Sequence, residues 1–171
     1  MKIARHLLAL AMLASCPALP AAAAAQVWHE YWNEKYEFSI RVPAEHFRQG
    51  TARNPEAGAL WIARDGQARL IAVAGENETG GSLHDYRAFV MEKAYANARF
   101  TYTPVRDDWF VLSGVQDDQI FYERVTFVCG GRYIYGWQLR YPARQKRLYD
   151  RIVEQIHSNY RIRRGEGGRC D

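Results

Sequence analysis

The sequence predicts an α+β domain: a largely antiparallel β-sheet flanked by helices. Three observations carry this. Tyr36, Phe38, Ile40 and Val42 alternate with Glu37, Ser39 and Arg41, the period-two signature of a strand with one buried face. The stretch 99–141 is β-rich throughout and breaks only at Asp107-Asp108, Asp117-Asp118 and Gly130-Gly131, residue types that tolerate the backbone angles of tight reversals. Two further segments, 83–96 and 143–158, space their apolar residues at three and four instead, as amphipathic helices do. Strands in runs with helices set apart from them indicate α+β architecture.

The elements follow in chain order. Val27 to Trp32 is β-rich, Asn33-Glu34-Lys35 reads as a turn, and the alternating strand 36–42 ends at Pro43. Residues 44–57 read as loop, punctuated by Gly50, Asn54 and Pro55. Strands at 59–63 and 70–74 flank Asp65-Gly66, a strong hairpin signal. Gly75 to Gly81 breaks the pattern. Ser82 with Asp85 three residues on reads as a capped helix start, and Leu83, Tyr86, Val90 and Ala94 give that helix one apolar face. Strands are expected at 99–104, 109–115, 119–128 and 132–140, then a closing helix with Leu148, Ile152 and Ile156 as its stripe. The order is hairpin, hairpin, helix, four-strand meander, helix.

The amino terminus predicts a compartment. Lys2 and Arg5 precede the apolar run Leu7 to Ala14, then Pro17, Pro20 and Ala21 to Ala25, the layout of a secretory signal peptide cleaved near Ala25-Gln26. The run is far shorter than the ~20 residues that span a bilayer, so no transmembrane helix is expected. The expected organisation is signal peptide 1–25, a single domain 26–162 and a flexible C-terminal tail 163–171. The formal charge of the whole chain is +4. Loss of Lys2 and Arg5 leaves 21 basic against 19 acidic residues, interleaved rather than clustered, which argues against a nucleic-acid partner. Arg161, Arg163, Arg164 and Arg169 form the one dense basic stretch and are read as a solvated tail.

Cys16 closes Leu13-Ala14-Ser15-Cys16, an order that resembles a bacterial lipobox. It is either lipidated there or discarded with the signal peptide, and both routes leave Cys129 and Cys170. A nine-residue strand carries the chain roughly 30 Å from the Gly130-Gly131 turn, and a helix of about sixteen residues brings it back by some 24 Å. The tail therefore emerges near Cys129, and a Cys129–Cys170 disulfide is expected in an oxidising compartment. The rival is a half-buried free Cys129 with a free Cys170.

Candidate chemistry is sparse. His29, His46, His84 and His157 lack zinc-motif spacing, and no cysteine pair forms a metal knuckle. Ser113 lacks the preceding glycine of a hydrolase elbow. Asp107-Asp108 and Asp117-Asp118 could bind calcium or form a carboxylate couple, but their turn positions already account for them. Gly75 to Gly81 lacks the lysine of a phosphate loop. No catalytic residue, metal ligand or cofactor is assigned. Trp28, Trp32, Trp61, Trp109 and Trp137 are expected mostly in the core, an exposed cluster among them being the best binding surface.

Tyr31-Trp32-Asn33-Glu34-Lys35-Tyr36-Glu37-Phe38-Ser39-Ile40-Arg41-Val42-Pro43 resembles the opening of PsbP-like proteins. The succession Trp109 to Gly114, Phe121-Tyr122, Cys129-Gly130-Gly131 and Tyr141-Pro142 before a closing helix is similar to uncharacterised exported bacterial proteins of that type. The resemblance covers residues 27–162 and implies a PsbP-like α/β/α sandwich. It transfers no catalytic residue. PsbP itself assists a photosynthetic complex in the thylakoid lumen, and no residue here points to that role.

The functional expectation is an exported bacterial envelope protein, a non-catalytic binding module in the periplasm with a protein or small-ligand partner. Lipid attachment through Cys16 would instead anchor it to the outer membrane. The alternatives are a periplasmic immunity-type inhibitor of a toxin, and a small hydrolase whose site brings His46 or His84 to a distant acid.

Overall fold

The computed structural model describes residues 27–166 and Cys170. The expected signal peptide, its expected cleavage site and Cys16 lie outside the described residues. The elements are β1 (Trp28–Asn33), β2 (Phe38–Pro43), β3 (Phe47–Gly50), β4 (Gly58–Ala63), β5 (Arg69–Glu76), α1 (Leu83–Ala94), β6 (Arg99–Tyr102), β7 (Trp109–Gln116), β8 (Gln119–Val128), β9 (Tyr133–Pro142), a 3-10 turn (Ala143–Gln145), α2 (Lys146–Asn159) and β10 (Arg161–Ile162). A seven-stranded antiparallel sheet runs β3-β4-β5-β9-β8-β7-β6, and a second sheet of three strands runs β1-β2-β10. No described helix is long and apolar enough to cross a membrane.

Both hairpins and the β6–β9 meander form as the sequence predicts, and so does the α+β class. The first hairpin closes on Asn33. Its Oδ1 accepts from the Tyr36 amide at 2.9 Å, while its Nδ2 donates to the Tyr31 hydroxyl at 3.0 Å and the Glu56 carbonyl at 2.9 Å. Those bonds satisfy a buried amide side chain and tie the turn to the loop before β4. The β7–β8 reversal places Asp117 and Asp118 at φ 50° and 62°, the left-handed pair that a two-residue hairpin needs. Ser82 caps α1 as expected: its Oγ accepts from the Asp85 amide, and the Ser82 amide donates back to the Asp85 carboxylate.

Strand parity then fixes two cores. Along β9, Tyr133, Tyr135, Trp137, Leu139 and Tyr141 are buried toward one face, where they meet Phe38 and Ile40 of β2 and Tyr149, Ile152 and Ile156 of α2. The opposite face packs Phe110, Leu112, Phe121, Val125 and Phe127 against Leu83, Val90 and Tyr95 at α1. Gly114 of β7 lets the edge strand β6 approach closely, because a Cβ there would stand 2.3 Å from the Arg99 carbonyl oxygen.

The structure departs from the sequence reading at short elements. Residues 44–57 contain β3, whose single buried residue, Phe47, shows no periodicity. Arg161–Ile162 pairs with Ser39 and Phe38 as β10. The next two residues stay in contact with the domain. The Arg163 amide donates to the Glu37 carbonyl at 2.8 Å, and Arg164 donates to the Lys35 carbonyl at 2.7 Å while lying over the Tyr133 ring. Arg164 is thus not a solvated tail residue. Cys129 and Cys170 are joined as a disulfide, with Cα atoms 5.5 Å apart.

Candidate binding face

The two faces of the seven-stranded sheet are covered diagonally. α2 and the small sheet cover one face over β4, β5 and β9, whereas α1 covers the other only over β7 and β8. The α1-side face of β3, β4, β5 and β9 is left open. Antiparallel register arranges it in rows. Arg48, Ile62, Arg69 and Arg140 stand directly opposite one another across β3, β4, β5 and β9. The next row on this face is Leu60, Ile71, Gln138 and Glu123, and the one after it Val73, Gly136 and Val125. The face therefore carries an apolar strip at Leu60, Ile71 and Val73 that grades into the polar Gln138 and Glu123, with a line of arginines along one side.

This strip deepens into a groove of about 440 Å³ beside α1, with Ile71, Val73, Ile134 and Tyr86 among its walls and Glu76, Glu78 and Glu123 as its acidic members. Val73 is 42% exposed and Phe89 on α1 is 54% exposed, large values for apolar side chains in a domain with a full core. Gly136 lies in the groove floor between Val73 and Val125 and leaves it without a side chain.

A polar cluster closes the end of the groove. Tyr95, the residue that ends α1, is buried and stacked on Phe121 at 4.1 Å. Its hydroxyl donates to Glu123 Oε2. Gln138 Nε2 donates to the Tyr95 hydroxyl at 2.7 Å and approaches Glu123 Oε2 at 3.3 Å. Arg140 lies over the Tyr95 ring, 5.2 Å from its centroid. Burial raises the Glu123 carboxyl above its ordinary range, opposed by these two donors and by Arg140. Burial also pushes the Tyr95 hydroxyl up, with Glu123 adding to the effect. The carboxyl is satisfied by these neighbours, and the cluster forms a hydrogen-bonded wall.

Along the arginine row the electrostatics are unbalanced. Like charges set directly opposite on paired strands repel, and Arg69 faces Arg140 in that way. Among the described residues none of Arg48, Arg69 and Arg140 has an ion-pair partner within 4.0 Å.

The residues singled out in the sequence do not converge. His46 sits beside Glu45, its neighbour in the chain, and His84 is exposed in the first turn of α1. The distant His–acid pairing of the hydrolase reading does not form with either histidine among the described contacts. Ser113 is a strand residue whose hydroxyl donates to the Phe121 carbonyl at 2.9 Å. Asp107-Asp108 lies in the connection before β7, and no group of three metal-ligating side chains occurs among the described residues. Trp61 and Trp137 are core, Trp109 lies under Arg124, and only Trp32 is exposed, beside Arg163, so the tryptophans form no exposed cluster. The arginine row escaped sequence reading because its members are 21 and 71 residues apart in the chain and only register aligns them.

No protein-family profile and no curated protein matches the chain. Among solved structures, it is similar to cyanobacterial PsbP (CyanoP) from Synechocystis sp. PCC 6803, with TM-score 0.59 and 15% identity over 88% of this chain and 98% of that one. It is also similar to the Ran-binding protein Mog1p of Saccharomyces cerevisiae, with TM-score 0.56 and 10% identity over 81% of this chain and 96% of that one. The class that the architecture defines is the PsbP-like α+β sandwich.

Proposed function

We propose that this chain is an exported, non-catalytic binding module that holds a protein partner against the open face of its seven-stranded sheet. The observation that carries the reading is the arginine row beside a groove whose walls include exposed apolar side chains. A partner segment placing apolar side chains on Ile71, Val73 and Gly136, and acidic ones opposite Arg48 and Arg69, would relieve both the exposed apolar area and the cross-strand charge repulsion between Arg69 and Arg140. The existence of Mog1p, a Ran-binding protein of the same fold, supports protein binding. Export is supported by the signal-like residues 1–25 and by a disulfide of the kind that persists in oxidising compartments. An immunity-type inhibitor of a secreted toxin is a narrower form of the same reading, and lipidation at Cys16 would add an outer-membrane anchor.

The test is site-specific photo-crosslinking in the envelope of the producing cell. A crosslinker at Val73 should give one discrete adduct that Arg69→Glu abolishes, while the same crosslinker at Arg147 on α2 gives none. An adduct at Arg147 but not at Val73 would move the partner to another face and overturn the proposal.

A further inference from the structure

A second site lies on the opposite face of the sheet, where the end of α2 crosses β8 and β9. A cavity of about 210 Å³ there is lined by Arg124, Thr126, Trp137, His157, Tyr160 and Arg161. Its lining holds two guanidinium groups and an imidazole, and no carboxylate. Glu154, one turn before His157, lines the adjoining hollow instead, and Asp150 is engaged by the Tyr141 hydroxyl and Lys146. The Arg124 guanidinium carbon lies over the Trp109 ring, 4.3 Å from its centroid, and Arg161 Nη1 donates to the Tyr160 carbonyl at 2.9 Å. Both charges are thus positioned by neutral partners.

Two donors here lack acceptors. Trp137 Nε1 and the Tyr160 hydroxyl are buried with no hydrogen-bond partner among the described residues, although buried donors are almost always paired. The local potential points the same way: burial lowers the His157 imidazole, and Arg124 and Arg161 lower it further. One effect opposes an anion, since the last turn of a helix carries partial negative charge. At α2 those carbonyls are largely occupied already, Gln155 O by Ser158 Oγ and Asn159 Nδ2, and Ile156 O by the Tyr160 amide. Two full positive charges outweigh the remainder.

We propose that this cavity is an oxyanion site, in which Arg124 and Arg161 hold a small free ion of the phosphate or sulfate type and the Trp137 indole N–H donates to it. Nothing in the site calls for a bond to be made or broken, so the role is binding, independent of the open face on the other side of the sheet.

The experiment is titration of the mature chain with inorganic phosphate at low ionic strength, following the assigned Trp137 indole proton by NMR. A saturable downfield shift is expected with phosphate and sulfate, and none with chloride at equal ionic strength. Arg124→Gln should weaken phosphate binding by about tenfold or more, the loss of one charge-assisted contact. Thr126→Glu guards against a folding artefact: by supplying a tethered carboxylate, it should abolish the phosphate response and raise the unfolding midpoint. Equal shifts with chloride, unchanged affinity in Arg124→Gln, or a lowered midpoint in Thr126→Glu would each overturn the site. A response to phosphatidylglycerol vesicles but not to the free ion would also overturn it, moving the chemistry to a membrane headgroup.

Discussion

The Tyr95 hydroxyl at the end of α1 donates to the carboxylate of Glu123 in the middle of β8, so the last turn of one helix is locked to the wall of the open groove. Burial of that carboxyl, opposed by the Tyr95 and Gln138 donors, links its protonation to folding.

Burial raises the folded-state value of Glu123 above the ordinary 4.5. A raised acid binds more protons folded than unfolded, so its contribution to stability is greatest at low pH. That contribution falls as pH rises from about the unfolded value through the folded one. Glu123→Gln keeps an acceptor for Tyr95 and removes the buried charge. It should stabilise the domain at pH 7.5 by roughly 1–2 kcal/mol and by much less at pH 4.5. Urea unfolding midpoints at the two pH values check this, and an equal change at both would refute the linkage.

Arg69→Glu should separate binding from stability. It replaces a repulsive cross-strand pair with an attractive one against Arg140, worth about 0.2–1 kcal/mol toward greater stability. The same change inverts charge in the face that we assign to the partner. Thermal unfolding with the Val73 crosslink as second readout should show a higher midpoint and a lost adduct.

Removing the disulfide by Cys129→Ala with Cys170→Ala should cost about 2–4 kcal/mol, because the bridge closes a separation of 41 residues. Guanidinium unfolding of the oxidised and double-variant proteins measures it. A difference below roughly 1 kcal/mol would mean that the unfolded chain is little restrained by the bridge.

Gly114→Ala should displace β6. The added methyl would sit 2.3 Å from the Arg99 carbonyl oxygen and 2.9 Å from the Phe100 Cα, both backbone atoms that cannot turn aside. We expect a loss of about 1–3 kcal/mol with amide exchange accelerated in β6 and the facing part of β7. Native exchange rates in β6 would show that the edge strand accommodates the methyl.

The mass of the mature protein isolated from the envelope should correspond to a chain beginning at Gln26 with two fewer hydrogens than the reduced form. A diacylglycerol-modified amino terminus at Cys16 would establish the lipid-anchored route, and a full-length cytosolic chain would remove the export reading.

What was legible depended on how local its physical cause is. Alternation over 36–42, the aspartate pair at 117–118 and the Ser82–Asp85 box each act through neighbours in the chain, so strands, reversal and helix start could be read directly. β3 and β10 could not, because four and two residues hold too few side chains to display a period. Arg164 read as a solvated tail residue because the Lys35 carbonyl and Tyr133 ring that receive it come from distant segments.

The sequence by itself determined the class of fold, the succession of elements and, through the lengths of β9 and α2, where the tail returns to meet Cys129. Those follow from periodicity and from the rise per residue, which need no knowledge of partners. Tertiary structure alone decided that Arg48, Arg69 and Arg140 form a row, that Tyr95 reaches Glu123, and that Trp137 and Tyr160 share a positively charged cavity. Each depends on which strands lie side by side and on which face a helix covers. Packing of the whole chain settles those choices, and no local spacing encodes them.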